Sequence, residues 1–135
     1  MGTGPTVWVQ MTRSDWAFVA GFWQGEGTIY SYKRKEGRVL RVNIIQTDPS
    51  SIRWLRRKLK IGWLGSFVNR SHLGKKRVYE WRLSGLNALK FIQKILPYIT
   101  STYRRKQIGK HIALDKKYVN HEYRNHNSKI KWPWR

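Results

Sequence analysis

The sequence predicts an α+β fold in which helices cover one face of a single four-stranded antiparallel sheet. Two observations carry this. Segments with helical spacing of apolar residues are interleaved with pairs of shorter β-rich segments, in the order α-β-β-α-β-β-α-α. Each β-rich pair flanks a short turn-like stretch, the pattern of a hairpin. The 135 residues fit one domain large enough to bury a core.

Residues 1–13, with Gly2, Gly4 and Pro5, read as a flexible lead-in. Ser14 or Asp15 can cap the first helix, because their side-chain oxygens accept from free backbone N–H groups. The apolar run from Trp16 to Trp23 forms its body. Thr28 to Lys33 reads as a strand, Lys35-Glu36-Gly37 as a turn, and Val39 to Gln46 as the second strand. In that strand Leu40, Val42 and Ile44 point one way and Arg41, Asn43 and Ile45 the other. Asp48-Pro49 starts a helix, an N-cap acid followed by proline at the first helical position. Ile52, Leu55 and Leu59 keep helical spacing through Lys60, and Gly62 stops the helix. Leu64 to Arg70 and Lys76 to Leu83 form a second hairpin around Ser71-His72-Leu73-Gly74. Ser84 is placed to cap a helix with Leu86, Leu89, Ile92, Ile95 and Leu96 on its apolar side, and Pro97 ends it. A last helix spans Thr102 to Val119, so the domain covers residues 14–119 and leaves a basic tail over 120–135. Trp16, Trp54 and Trp81 are assigned to the core, while Trp132 and Trp134 in the tail have no assigned role.

Charge limits the partners. Twenty-eight Lys and Arg against seven Asp and Glu give +21. Such self-repulsion favours a polyanionic partner, and nucleic acid is expected, with affinity that falls as salt rises. No apolar run reaches the ~18 residues that cross a membrane, and the N-terminus lacks a secretory pattern, so an intracellular protein without a membrane partner is expected. There is no cysteine, which excludes disulfides and thiolate metal sites. His72, His111, His121 and His126 lack metal-ligand spacing.

The sheet face away from the helices is expected to carry Thr28, Tyr30, Tyr32, Arg34, Arg41, Asn43, Ser66, Val68, Arg70, Glu80 and Arg82, with Phe67, Tyr79, Trp81 and Leu83 turned to the core. A polar, basic sheet face suits a reader of the DNA major groove. Six of the seven acids have ordinary roles: Asp15 and Asp48 at helix starts, Glu36 in a turn, Glu80 on a strand, Asp115 on a basic helix and Glu122 in the tail. Glu26 differs. It closes an apolar helix between Gly25 and Gly27, where the negative end of the helix dipole disfavours a carboxylate, and a compensating cation would explain its position. Ala17, Gly21 and Gly25 recur every four residues on the same helix and form one small-residue face.

Val19-Ala20-Gly21-Phe22-Trp23-Gln24-Gly25-Glu26-Gly27, followed by Thr28-Ile29, resembles the LAGLIDADG signature of homing endonucleases and related maturases. The resemblance continues in Ile44-Ile45-Gln46-Thr47-Asp48, in Ile61-Gly62-Trp63-Leu64-Gly65, in Leu96-Pro97-Tyr98 and in Arg104-Arg105-Lys106-Gln107, and it covers about Asp15 to Tyr118. It implies an αββαββα fold with a saddle-shaped sheet and a metal-dependent double-strand break in a long, near-palindromic DNA site, in the service of intron or intein mobility. One motif per chain implies a homodimer packed through Ala17, Gly21 and Gly25. Glu26 is the implied ligand of Mg²⁺ or Mn²⁺, Gln46 the polar residue near the scissile phosphate, and Arg104 the assisting basic residue by counting back from Gln107. Counting forward from Pro97 gives Thr102 instead, so Arg104, Arg105 and Lys106 are all candidates. The sixth motif position, usually acidic, is Gln24. That departure motivates the alternative, a cleavage-inactive maturase or nucleic-acid-binding protein acting on intron RNA.

Overall fold

The first helix starts one turn earlier than its apolar run. Thr12 is its cap: Thr12 Oγ1 accepts from the backbone N–H of Asp15 at 3.0 Å, and the Thr12 N–H donates back to the Asp15 carboxylate at 3.1 Å. This reciprocal capping box satisfies two free donors and displaces Ser14 and Asp15 as caps. The same N–H, aided by Lys58 at 3.2 Å, lowers the Asp15 pKa.

The computed structural model describes residue 8 and residues 10–35, 37–71 and 74–118, without the side chains of 71 and 114–118. Glu36, His72, Leu73, Val119 and the tail with His121, Glu122, His126, Trp132 and Trp134 lie outside these residues, as does the Asp115 side chain. The elements are α1 (Arg13–Glu26), β1 (Gly27–Arg34), β2 (Gly37–Gln46), α2 (Ser50–Leu59), β3 (Trp63–Ser71), β4 (Gly74–Ser84), α3 (Leu86–Ile95), a 3-10 turn (Leu96–Tyr98) and α4 (Thr102–Tyr118). The strands form one antiparallel sheet in the order β1-β2-β4-β3.

The core lies between the helices and one sheet face. Trp16, Val19, Ala20 and Trp23 of α1 are buried there, with Ile52, Leu55 and Leu59 of α2, Leu89, Phe91, Ile92 and Ile95 of α3, and Ile108 and Ile112 of α4. The sheet contributes Ile29, Leu40, Val42, Ile44, Trp81 and Leu83, in keeping with the alternation in β2. Trp8 and Met11, in the segment taken as a lead-in, are also buried; Trp8 packs edge-on against Trp16 and its indole N–H donates to Leu59 O at 3.2 Å. Trp16 and Trp81 are core residues, whereas Trp54 is only half-buried.

Further helix boundaries also differ from expectation. The left-handed residue that ends α2 is Lys60 (φ 61°), ahead of Gly62. Gly62 (φ 111°) instead leaves room for the core, since a Cβ there would lie 2.4 Å from Trp81 Nε1. Ser84 is the last residue of β4, and its hydroxyl accepts from Arg41 Nε at 2.9 Å; α3 begins from Gly85 (φ 65°). α2 begins at Ser50, so Pro49 is its cap residue rather than its first helical residue, and Asp48 lies one residue ahead of the cap; it still accepts from the Ser50 N–H at 2.9 Å, and this bond lowers its pKa.

Candidate nucleic-acid interface and metal site

Glu26 is the last residue of α1 and Gln46 the last of β2. Because β1 starts at once with Gly27 paired to Ile44, these two ends meet at one edge of the sheet. Gln46 Nε2 donates to Glu26 Oε2 at 3.2 Å and to Ile45 O at 3.0 Å. Glu26 is exposed. An exposed carboxylate beside a neutral amide fits a hard divalent cation such as Mg²⁺, which keeps several waters and takes few protein ligands. Among the described residues no group of three His, Cys, Asp or Glu comes together, and the acid that Gln46 meets here is Glu26.

The three basic candidates separate clearly. Arg104 reaches the end of α1, where Nε donates to Gln24 O at 3.0 Å and Nη2 to Gly27 O at 2.6 Å. Arg105 points elsewhere, its Nη1 donating to Leu96 O and Ile99 O, both at 3.2 Å. Lys106 is exposed. Arg104 is thus the cation that offsets the helix dipole behind Glu26.

The open sheet face carries Thr28, Tyr30, Tyr32 and Arg34 from β1, Arg41, Asn43 and Ile45 from β2, and Glu80 and Arg82 from β4. Arg41 lies over the Tyr32 ring (4.4 Å) and donates to the Tyr32 hydroxyl at 2.8 Å. Asn43 and Glu80 are only 7% exposed. Thr28 Oγ1 donates to Asn43 Oδ1, and Asn43 Nδ2 donates to Glu80 Oε2 at 2.9 Å, a chain of bonds across three strands. These two residues orient their neighbours and present little surface for direct base contact.

The face assigned to β3 is corrected. Gly65 pairs with Glu80 and Trp63 with Arg82, so Trp63, Gly65 and Phe67 share the open face. Ser66, Val68 and Arg70 belong to the opposite face, although all three are exposed, and Phe67 is not in the core. Both phases of this edge strand contain apolar residues, and residues 66–70 are exposed whichever face they take, so alternation alone did not fix which phase turns to the core. Trp63, missed from sequence, stacks under Arg82 at 4.1 Å.

The solved structures similar to this chain share its architecture. An archaeal intron-encoded homing endonuclease, I-Vdi141I, complexed with DNA, superposes with a TM-score of 0.56 at 13% identity, over 87% of this chain and 84% of that one. The meganuclease I-SmaMI bound to uncleaveable DNA gives 0.52 at 20% identity, over 88% and 43%, and the LAGLIDADG meganuclease I-CpaMI bound to uncleaved DNA gives 0.51 at 16%, over 84% and 39%. The chain has the LAGLIDADG homing-endonuclease fold. It spans less than half the length of I-SmaMI and I-CpaMI. No protein-family profile and no curated protein sequence matches it.

In this fold α1 carries the stretch that resembles the LAGLIDADG signature, and its outward side is bare. Ala17, Gly21 and Gly25 are exposed, and a Cβ built on either glycine meets no atom within 4 Å. Phe18, 53% exposed, borders this strip and stacks on Phe22 at 6.0 Å. Among the described residues, no helix is long and apolar enough to cross a membrane.

Proposed function

We propose that this chain is a site-specific DNA endonuclease that acts as a homodimer and requires a divalent metal ion, Mg²⁺ or Mn²⁺. The observation that carries this is the exposed Glu26 carboxylate at the end of the motif helix, bonded to Gln46 at the margin of a basic sheet face. The similar fold of DNA-bound homing endonucleases supports it.

Two copies packed through Ala17, Gly21 and Gly25 bring two Glu26 carboxylates to one axis, since missing side chains permit close backbone approach. Glu26 holds the metal, and Gln46 orients water or the scissile phosphate through its amide. When bound, metal ions of this kind activate water and stabilise the leaving oxygen. Arg34, Arg41 and Arg82 face the duplex, with Tyr30, Tyr32 and Thr28 among them. Two-fold symmetry then calls for a near-palindromic site. Such an enzyme works inside the cell, where its DNA is.

The test is incubation of the protein with a randomised duplex library, in Mg²⁺ and in EDTA. Enrichment of cut ends at one near-palindromic site in Mg²⁺ alone is the expected result. Cleavage equal in EDTA refutes the metal requirement, whereas no cleavage by a soluble dimer refutes the enzyme and leaves the binding-only reading, for which intron RNA is the next ligand to try.

A further inference from the structure

Glu26 stands where two helix ends cap each other. Gln24 Oε1 accepts from the backbone N–H groups of Thr100 at 2.8 Å and Ser101 at 2.9 Å, and Gln24 Nε2 donates to Thr100 Oγ1 at 3.2 Å. Ser101 opens α4: its carbonyl accepts from Arg105 N at 3.0 Å and its hydroxyl from Arg104 N at 3.1 Å. Arg104 then returns to α1, Nε to the carbonyl of Gln24 itself and Nη2 to Gly27 O. The ring is closed. Gln24 satisfies free N–H groups at the start of α4, and Arg104 satisfies carbonyls on both sides of Glu26. The guanidinium is held on its other sides by Gln107 Oε1, which accepts from Nη1 at 2.9 Å, and by the Trp23 ring at 5.0 Å. Gly27 is fixed in turn, because a Cβ there would lie 2.2 Å from Trp23 Cδ1.

We propose that Gln24 and Arg104 are positioning residues that set the direction and charge environment of the Glu26 carboxylate, and that Arg104 contacts neither DNA nor metal. This rests on Glu26 being the metal-binding acid. It also gives Gln24 its reason. The amide oxygen accepts two backbone N–H groups, and the Thr100 hydroxyl lies within reach of both the amide nitrogen and the amide oxygen, so a neutral amide is enough to hold the start of α4.

The test uses the full chain with Mn²⁺ as probe, its dissociation constant read by electron paramagnetic resonance, alongside the salt dependence of duplex binding. Arg104→Lys keeps the charge but lacks the fork that spans two carbonyls. Its Mn²⁺ affinity is expected to fall about tenfold or more, the range for supporting partners of a metal ligand. Gln24→Leu weakens Mn²⁺ similarly, and Gln24→Glu, which still accepts both N–H groups, retains most of the affinity. Arg104→Gln leaves the slope of log K against log salt unchanged. A slope shallower by about 0.9, with Mn²⁺ affinity as in the wild type, makes Arg104 a phosphate contact and overturns the proposal. If Arg104→Gln fails to fold, the Arg104→Lys and Gln24 results decide. Mn²⁺ binding that Glu26→Gln leaves intact refutes the underlying metal reading, whereas binding that needs Glu26 but not Arg104 refutes the ring alone.

Discussion

Gly21 allows folding and assembly to be pulled in opposite directions by one residue. It lies in the interior of α1, faces outward, and has no atom within 4 Å of where a Cβ would stand. In an isolated chain, Gly21→Ala therefore adds helix propensity without a clash, worth about 0.5–1 kcal/mol. For a chain of this length that raises the monomer Tm by about 2–4 °C. In the proposed dimer the same surface meets its copy. Gly21→Leu forces bulk between two helix backbones, and overpacking costs about 1–3 kcal/mol per side chain. Counted on both copies, this is about 2–6 kcal/mol, a 30-fold to 10⁴-fold weaker dimer. Sedimentation across a concentration series reads the second effect, and thermal denaturation at dissociating concentrations reads the first. A Gly21→Leu dimer as tight as wild type refutes this use of the strip. A lower monomer Tm for Gly21→Ala refutes the claim that Gly21 is bare within the chain.

Gly62→Ala meets both a positive φ and the Trp81 indole; it should cost about 2–4 kcal/mol in urea unfolding. Thr12→Ala removes the capping box and should cost about 1 kcal/mol by the same measurement, with α1 frayed at its start in hydrogen exchange. His111, half-buried against β1 with Ser31 Oγ at 3.5 Å and Lys110 and Arg38 nearby, has a pKa lowered chiefly by desolvation, then by those two cations. The unfolded chain therefore takes up the proton first. The contribution of neutral His111 is complete above about pH 6.5 and is lost as pH falls below that value towards the folded pKa. Denaturation midpoints measured from pH 7.5 to 5 should fall less steeply for His111→Gln than for wild type.

Where one residue pattern had one solution, the sequence was sufficient. Ile52, Leu55 and Leu59 could share only one helix face, and Leu40, Val42 and Ile44 only one strand face, so α2 and β2 followed directly. Where local chemistry allowed several solutions, the partner decided. Thr12, Ser14 and Asp15 can all cap a helix, and only the reciprocal bond between the first and third selects Thr12. Trp63 and Phe67 compete with Leu64 and Val68 for the inner face of β3, and pairing with β4 resolves it. At the candidate site, Glu26 stands out in the sequence by its unfavourable position at a helix end, where a cation is expected. Which of three adjacent basic residues supplied it depended on how α4 approaches α1, a relation over 77 residues that spacing does not encode.

That Glu26 performs the chemistry is tested most directly by single-turnover cleavage of the library-selected duplex in Mg²⁺ by wild type and Glu26→Gln, with duplex affinity measured in parallel. Glu26→Gln is expected to bind the duplex within a few-fold of wild type and not to cut it. Cleavage by Glu26→Gln at the wild-type rate would contradict the role assigned to this carboxylate.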